Sequence, residues 1–255
     1  MCRMAGYVGP SIRLGEIVSA PAHSLAVQSY RPREMQSGTV NADGYGAALW
    51  LDDGRPEPAL YRTAAPIWAD PNQGWMNERL VVRSAIAAVR SATPGIGYEL
   101  ANVQPFASGR LAFTHNGFVT DFRHGPQRLM REGLGREAYE SIAGSSDSEH
   151  LFALVLDAQG DLPDRVRQAV LRLDGICAEL QRTAAATLLL GDGEQLVGVR
   201  WARGLQPATL YSGGVADGLC LASEPFDARG QWREVPPGQI AVVRPGQALA
   251  LEALR

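Results

Sequence analysis

The sequence predicts an α+β fold, in which helices cover antiparallel sheets. Strand-like segments come first, helical patterns fill the middle of the chain, and short strands broken by glycine and proline follow. Strands and helices that run in separate blocks favour antiparallel sheets over alternating βαβ units. No linker-like break divides the chain, so we expect one domain over residues 1–255.

The first block of strands is predicted from apolar segments that end in polar or glycine-rich loops. These segments are Ala5–Val8, Gly46–Leu51, Leu80–Arg90 and Leu111–Asn116. Three helices are predicted next, over Gly125–Glu132, Asp147–Ala158 and Leu162–Arg182. The second block of strands comprises Ala186–Leu190, Leu196–Arg200, Ala208–Ser212, Leu219–Ser223, Gln239–Arg244 and Ala248–Leu251. Its first two members are expected to form a hairpin across Gly191-Asp192-Gly193.

Composition excludes several classes of function. The net charge of −3 is spread along the chain, which gives no basic surface for nucleic acid or for a membrane. Three cysteines and four histidines lack the spacing of a disulfide framework or a metal site, so we expect no metal and no cofactor. No apolar run is long enough to span a bilayer and no signal peptide is recognisable, which predicts a cytoplasmic protein.

Cys2 is the residue that points most directly to chemistry. Removal of Met1 would leave a mature chain that starts at residue 2, with a thiol and a free α-amino group on the same residue. Because the pKa values of an amine and a thiol are close, the amine can accept the thiol proton and later return it to a leaving group. Taken alone, a cysteine at this position is more simply part of a frayed terminus. The apolar stretch that follows instead predicts a strand that holds the terminus in place.

Asn116 and Gly117 are candidates for an oxyanion hole at the end of a predicted strand. An asparagine amide and a glycine N–H that a ligand can approach closely are suitable donors. The commoner meaning of Asn-Gly is a type I′ turn, and locally that alternative is favoured. His115 is not expected to be the general base, since alternation along the strand turns it away from the face of Asn116.

Arg90, Asp147 and Gly44 are candidates for substrate binding. Arg90 ends an apolar segment and can bind a carboxylate through two hydrogen bonds, although a surface arginine is the simpler interpretation. Asp147 can hold an ammonium group or can merely cap a helix. Gly44 lies in a loop before a strand, where glycine allows a tight bend or a close approach by the substrate.

In combination, five motifs resemble the signatures of the class II glutamine amidotransferases, which are N-terminal-nucleophile hydrolases. They are Cys2-Arg3-Met4-Ala5-Gly6-Tyr7, Asn41-Ala42-Asp43-Gly44-Tyr45-Gly46, Ala88-Val89-Arg90-Ser91-Ala92-Thr93, Phe113-Thr114-His115-Asn116-Gly117 and Ser146-Asp147-Ser148-Glu149. The resemblance implies a four-layer αββα sandwich. It also implies that Cys2 is the nucleophile and that Asn116 and Gly117 form the oxyanion hole. Arg90 would take the α-carboxylate of a glutamyl group and Asp147 its α-ammonium.

Further segments resemble the ergothioneine-pathway branch of that family, the γ-glutamyl-hercynylcysteine S-oxide hydrolases. They are Pro21-Ala22-His23-Ser24-Leu25, Gln28-Ser29-Tyr30-Arg31-Pro32-Arg33, Pro66-Ile67-Trp68-Ala69-Asp70 and Ser223-Glu224-Pro225-Phe226. The branch often carries a histidine where this chain has Met4. The resemblance implies a small-molecule γ-glutamyl substrate that is cut by water, and it leaves the oligomeric state unknown.

Two alternatives remain beside this hydrolase. One is a glutaminase subunit that supplies ammonia to a separate synthase, and the other is a catalytically silent binding protein of the same fold. The aromatic residues Tyr30, Trp68 and Trp75 are as consistent with stacking on a hercynine group as with anchoring their loops.

Overall fold

Two antiparallel sheets, packed face to face, form the centre of the molecule. The computed structural model describes residues 2–92, 97, 99–229 and 231–255. The strands are β1 (Arg3–Arg13), β2 (Tyr45–Leu51), β3 (Ala59–Thr63), β4 (Val81–Val89), β5 (Phe106–Ser108), β6 (Leu111–Val119), β7 (Ala184–Gly191), β8 (Leu196–Arg203), β9 (Tyr211–Val215), β10 (Gly218–Ala222), β11 (Arg233–Glu234), β12 (Gln239–Val243) and β13 (Ala250–Ala253). The helices are α1 (Gly15–Val18), α2 (Leu25–Tyr30), α3 (Gln73–Arg79), α4 (Pro126–Arg131), α5 (Arg136–Glu140), α6 (Asp147–Asp157) and α7 (Leu162–Glu179).

Within these residues, the first sheet has the strand order β11-β9-β10-β1-β4-β2-β3, and the second has the order β13-β12-β8-β7-β6-β5. The first strand of the chain is therefore interior to its sheet. Ala5 pairs with Ala222 of β10 on one side and with Ala87 of β4 on the other. Such pairing on both edges fixes the start of the chain, as the apolar stretch after Cys2 predicted.

Alternation along the strands sorts side chains into layers. In β1, Met4 and Val8 pack in the core between the two sheets, whereas Ala5 and Tyr7 pack toward α1, α2 and α3. In the second sheet, Phe113 of β6 faces the helices α4, α6 and α7. The order helix, sheet, sheet, helix is the four-layer αββα sandwich, and it confirms the predicted α+β class.

The helices on the second sheet are held by one continuous apolar core. Phe113 of β6 stacks on Phe152 of α6 with a centroid distance of 5.2 Å. A stacked aromatic pair contributes about 0.5–1.5 kcal/mol beyond the area that it buries. This contact fixes α6 on the sheet and so places Asp147, the first residue of that helix, beside the end of β6.

Most of the predicted elements are present, and their ends differ by a few residues. The difference that matters for the site is at β6, which continues to Val119, so the type I′ turn predicted at Asn116-Gly117 is wrong. Asn116 pairs with Thr187 and Gly117 with Ala186 inside the ladder. None of the helices in the described part of the chain is long and apolar enough to cross a membrane.

Candidate active site

A cavity of about 470 Å³ opens where the first residue before β1, the end of β4, the end of β6 and the start of α6 converge. Four of the six predicted site residues lie on its wall, namely Cys2, Arg90, Gly117 and Asp147. The rest of the wall is formed by Ser37, Gly38, Ser91, Ala92, Asn102, Gln104, His115, Phe118, Ser146 and Ser148. Segments far apart in the sequence thus build one cavity, and most of the side chains that line it are polar.

Cys2 lies at the cavity because β1 begins at the next residue. The residue is 9% exposed, and its Sγ is 3.9 Å from the carbonyl oxygen of Ser91. The strand behind it is anchored beyond the sheet pairing as well. The N–H of Met4 donates to Oγ of Ser223 at 3.0 Å, and the N–H of Ser223 donates to the carbonyl oxygen of Met4 at 2.9 Å. The thiol therefore has a fixed place on the wall.

Gly117 presents its backbone N–H toward the same wall. The N–H and the carbonyl oxygen of His115 both bond to the side chain of Gln104, and the N–H of Val119 donates to Oδ2 of Asp147 at 2.9 Å. Alternate residues of a strand direct their N–H groups to the same edge, so Gly117 directs its N–H between these two contacts and away from β7. A Cβ at this position would collide with the carbonyl oxygen of Ala185. Glycine is therefore required here by the ladder itself.

Asn116 is fully buried and is not among the residues that line the cavity. It has the same parity in β6 as Ala112, which packs between the two sheets. Among the described residues, neither its Oδ1 nor its Nδ2 has a hydrogen-bond partner. A buried amide without partners is rare in proteins and calls for an explanation.

Arg90 follows β4 and is 5% exposed. Its Nη2 donates to the carbonyl oxygen of Gly97 at 3.0 Å and its Nη1 to that of Asp43 at 3.4 Å. Its backbone N–H donates to the carbonyl oxygen of Gly44 at 2.8 Å. Gly44 has a φ of +127° and lies behind Arg90 rather than on the cavity wall. A Cβ on Gly44 would be 2.9 Å from Cγ2 of Val103, so a larger residue would crowd this position. Gly44 thus allows the backbone to accept the hydrogen bond from Arg90.

Asp147 is the first residue of α6, and the alternative that it caps this helix is wrong. The N-cap is Ser146, whose Oγ accepts from the N–H of Glu149 at 3.2 Å. The carboxylate of Asp147 instead accepts from the N–H of Ser148 at 2.8 Å and from Val119. The side chain is thus held on the cavity wall by two backbone donors.

His115 lines the cavity, although it was not expected to be the general base because alternation turns it to the face opposite Asn116. Its side chain does lie on the opposite face from Asn116, but the cavity reaches that face beside Gly117. Nε2 is 3.2 Å from the carbonyl oxygen of Ala185, which can only accept, so Nε2 carries the hydrogen and Nδ1 accepts from Oγ of Ser148 at 2.9 Å. Burial lowers the pKa of His115, although Asp147 opposes this shift. The imidazole is therefore neutral, with both nitrogens bonded.

Two polar wall residues, Asn102 and Gln104, were not predicted from the sequence. Nδ2 of Asn102 donates at 3.2 Å to the carbonyl oxygen of Gly97, the same atom that Arg90 contacts, while Oδ1 of Asn102 accepts from the N–H of Ser145 at 3.0 Å. Gln104 bonds to Thr114 and to the backbone of His115. Their one signal in the sequence is a pair of amide side chains just before Pro105.

The other predicted features lie outside the cavity wall. Tyr30 and Trp68 pack edge to face at 6.2 Å between centroids, and neither they nor Trp75 line the cavity. Met4 is fully buried between the sheets. Thr93 and Met1 lie outside the described residues. Within the described residues, no three His, Cys, Asp or Glu side chains are grouped as metal ligands would be.

Comparisons with known proteins agree with this architecture. Residues 17–205 match the family model described as glutamine amidotransferases class-II. The chain is 33% identical over 244 residues to a protein of Mycobacterium tuberculosis named gamma-glutamyl-hercynylcysteine sulfoxide hydrolase, covering 95% of this chain and 93% of that one. The protein of the same name from Mycolicibacterium smegmatis is 31% identical, with 96% of each chain covered.

Solved structures give the same result. A glutamine aminotransferase class-II domain protein from Silicibacter pomeroyi superposes with a TM-score of 0.72 at 26% identity, over 100% of both chains. The glutamine phosphoribosylpyrophosphate amidotransferase of B. subtilis gives 0.67 at 21% identity, which shows the fold alone, over 100% of this chain and 49% of that one. The chain belongs to the class II glutamine amidotransferases.

Proposed function

We propose that this chain hydrolyses the γ-glutamyl amide of γ-glutamyl-hercynylcysteine S-oxide and so releases glutamate in ergothioneine biosynthesis. The observation that carries the proposal is the pair of opposite charges beside the thiol. Arg90 and Asp147 line the cavity with Cys2, and within the described residues neither forms an ion pair.

Two unpaired charges of opposite sign match the α-carboxylate and α-ammonium groups of a γ-linked glutamyl residue. The contacts of Arg90 are neutral carbonyl oxygens, and those of Asp147 are neutral N–H groups and the hydroxyl of Ser148. A buried charge without a counterion is costly, and a zwitterionic ligand relieves both costs at once. In this role Arg90 binds the carboxylate and Asp147 binds the ammonium, while Gly44 supports the backbone of Arg90.

The reaction follows from what surrounds the thiol. After removal of Met1, the α-amine of Cys2 takes the thiol proton and the thiolate attacks the γ-carbonyl carbon. The oxyanion that forms is bound by the N–H of Gly117 and by the buried amide of Asn116. The protonated amine gives its proton to the leaving nitrogen, and the C–N bond breaks to leave a γ-glutamyl thioester. A water molecule that loses its proton to the same amine then attacks the thioester, which releases glutamate and restores the thiol.

The choice of substrate within the family rests on the relatives. Both mycobacterial proteins carry the name of this hydrolase, and they match the chain over nearly its whole length. The departure at Met4 affects the core between the sheets rather than the cavity wall. It therefore does not change the groups that a substrate would meet.

The experiment combines intact mass with turnover. The purified protein is incubated with diazo-oxo-norleucine, a glutamine analogue that alkylates thiols in glutamine sites, and separately with the S-oxide substrate. We expect a mass that lacks Met1, one adduct on Cys2, and release of glutamate from the substrate. Cys2→Ala is the matched control, which should fold normally and lose both adduct and turnover.

Each alternative has its own signature in this experiment. Turnover of free glutamine that requires an added partner, with no action on the S-oxide, would identify a glutaminase subunit. A chain that retains Met1 and takes no adduct would identify a silent binding protein. Either result would overturn the proposal.

A further inference from the structure

Glu224 joins four parts of the chain through one fully buried carboxylate. Its Oε1 accepts from Nη1 of Arg3 at 3.2 Å and from the N–H of Glu34 at 3.1 Å. Its Oε2 accepts from Nε2 of His23 at 2.6 Å and from the N–H of Arg33 at 2.9 Å. Burial pushes the pKa of Glu224 upward, but the bonds from His23, Arg33 and Glu34 and the charge of Arg3 bring it below its usual range. The carboxylate is therefore ionised, with four donors around it.

The donors connect the nucleophile to one wall of the cavity. Arg3 is the residue after Cys2 and is itself fully buried. Arg33 and Glu34 begin the segment 33–38, which has no helix or strand and whose last two residues, Ser37 and Gly38, line the cavity. A segment without regular structure takes its position from such side-chain contacts. The carboxylate of Glu224 is thus a link between the first strand and this wall.

Two further contacts hold the segment 33–38, at Glu34 and at Gln36. The hydroxyl of Tyr211 on β9 donates to the carboxylate of Glu34, with 2.9 Å to each oxygen. Nε2 of Gln36 donates to the carbonyl oxygen of Pro207 at 3.2 Å. The segment 33–38 is therefore held by Glu224, which follows β10, and by Tyr211 of β9.

The wall that this segment forms has no part in binding the glutamyl group as proposed above. Arg90, Asp147 and Gly117, which would bind that half, belong to β4, α6 and β6 or follow them directly. In the proposed reaction the scissile bond lies at Cys2, so the leaving amine would occupy the part of the cavity that these three residues do not line, and Ser37 and Gly38 belong to the remaining wall.

We infer that Glu224 is a positioning residue that sets the leaving-group side of the cavity by holding segment 33–38 against Arg3. This inference rests on the proposed γ-glutamyl hydrolysis and adds to it a determinant of which amide is accepted. The residue acts through the segment and touches neither the thiol nor the glutamyl half. Its loss should therefore affect substrates in proportion to the size of their leaving group.

The test compares two reactions of Glu224→Gln. The first is hydrolysis of the S-oxide substrate, which requires both halves of the site. The second is alkylation of Cys2 by diazo-oxo-norleucine, which has the glutamyl half and no leaving amine. The amide of the variant presents two N–H groups to the four donors that surround Glu224, so the segment 33–38 should be displaced. Because small displacements in a site are costly, we expect kcat/KM for the S-oxide to fall about tenfold or more. The alkylation rate should stay within about twofold of wild type. Glu194→Gln, which breaks an exposed pair with Arg110, is the matched control and should change neither rate.

Loss of the Glu224 charge leaves Arg3 buried without a counterion, so the variant can fail to fold. Tyr211→Phe is the second variant, since it removes one outer hydroxyl and keeps Glu224. Tyr211→Phe should also lower kcat/KM for the S-oxide more than the alkylation rate, with a smaller loss than in Glu224→Gln. Equal loss of both rates in either variant, or no change in both variants, would overturn the inference. A wild-type protein that neither hydrolyses nor is alkylated would instead overturn the proposed function, and this inference with it.

Discussion

The hydroxyl of Ser148 donates to Nδ1 of His115 at 2.9 Å, which ties the first turn of α6 to β6. The residue before Ser148 is Asp147, and the N–H of Ser148 also donates to its carboxylate. The neutral histidine thus helps to orient the helix start that carries the proposed ammonium-binding group. Ser148 and His115, which have no proposed contact with the substrate, thus help to position Asp147, for which such a contact is proposed.

Ser148→Ala should destabilise the protein and weaken substrate binding together. The change leaves Nδ1 of His115 buried without a donor, which costs about 1–3 kcal/mol. Urea denaturation measures the loss of stability, and a rise in KM reports the displacement of Asp147. Ser141→Ala is the control, because among the described residues its hydroxyl bonds to the carbonyl oxygen of Ala138 and to no other group. A normal KM in S148A would show that Asp147 keeps its position without this bond.

Arg90→Ala should raise KM far more than it lowers kcat. The loss of a charged hydrogen bond to the substrate carboxylate costs about 1.5–3 kcal/mol, or roughly 10- to 150-fold in KM. Arg90→Lys keeps the charge but lacks the planar guanidinium group, so its KM should lie between those of wild type and Arg90→Ala. Steady-state kinetics on the S-oxide measure all three proteins, with Arg110→Ala as the surface control. If KM is unchanged in R90A, the carboxylate is bound elsewhere.

Asn116→Ala should separate activity from stability. The amide has no partner among the described residues, so its removal breaks no hydrogen bond there. Removing an unsatisfied buried group stabilises the fold, whereas the small cavity left behind destabilises it, and the two effects oppose each other. We expect the free energy of unfolding to change by no more than about 1 kcal/mol. If the amide of Asn116 is an oxyanion donor, its loss should lower kcat roughly 10²- to 10³-fold. A stable variant with normal kcat would leave Gly117 as the donor and exclude Asn116.

Stability should fall in acid because of His150. Its Nδ1 donates to the carbonyl oxygen of Ser146 at 2.7 Å, and its Nε2 accepts from Nε of Arg131 at 2.8 Å, so the folded protein holds it neutral. Burial, aided by the charge of Arg131, lowers the pKa of His150 to about 4. An unfolded chain takes up this proton below a pH of about 6.5, and the folded chain does so only near 4.

The sign follows from this difference in proton uptake. The contribution of His150 is complete above a pH of about 6.5 and is lost as the pH falls toward 4, by at most about 3 kcal/mol. Urea denaturation at pH 7.5 and pH 5 gives the slope for wild type. His150→Gln should reduce that slope, whereas His124→Gln, at an exposed position, should leave it unchanged. An equal slope in H150Q would mean that His150 titrates alike in both states.

Motifs at the ends of strands made part of the site predictable. Cys2, Arg90, Gly117 and Asp147 each lie at or near one end of an element with a clear pattern, and a sheet brings the ends of its strands together. The sequence did not predict that Asn116 and Gly44 lie off the cavity wall. Whether a residue lines the cavity depends on how deeply the cavity extends and on which other segments pack beside that residue. The helices α1, α2, α3 and α5 were missed because four to seven residues are too few to show a helical period.

The link at Glu224 could not be read from the chain. Arg3 and Glu224 are 221 positions apart, and each reads as an ordinary surface charge when only its neighbours in the sequence are considered. Burial and pairing of the two arise together when β10 joins β1. The segments that resembled the ergothioneine-pathway branch, Pro21–Leu25 and Ser223–Phe226, prove to contain two members of this one cluster, His23 and Glu224.

The interior position of β1 has a practical consequence for recombinant production. Cys2 is nearly enclosed, and the strand behind it is paired on both edges. Additional residues fused ahead of Cys2 would start at the wall of the cavity that is proposed to bind the substrate. An affinity tag at that end would act as a built-in competitor, so a tag after Arg255, which is exposed, is the suitable choice for assays.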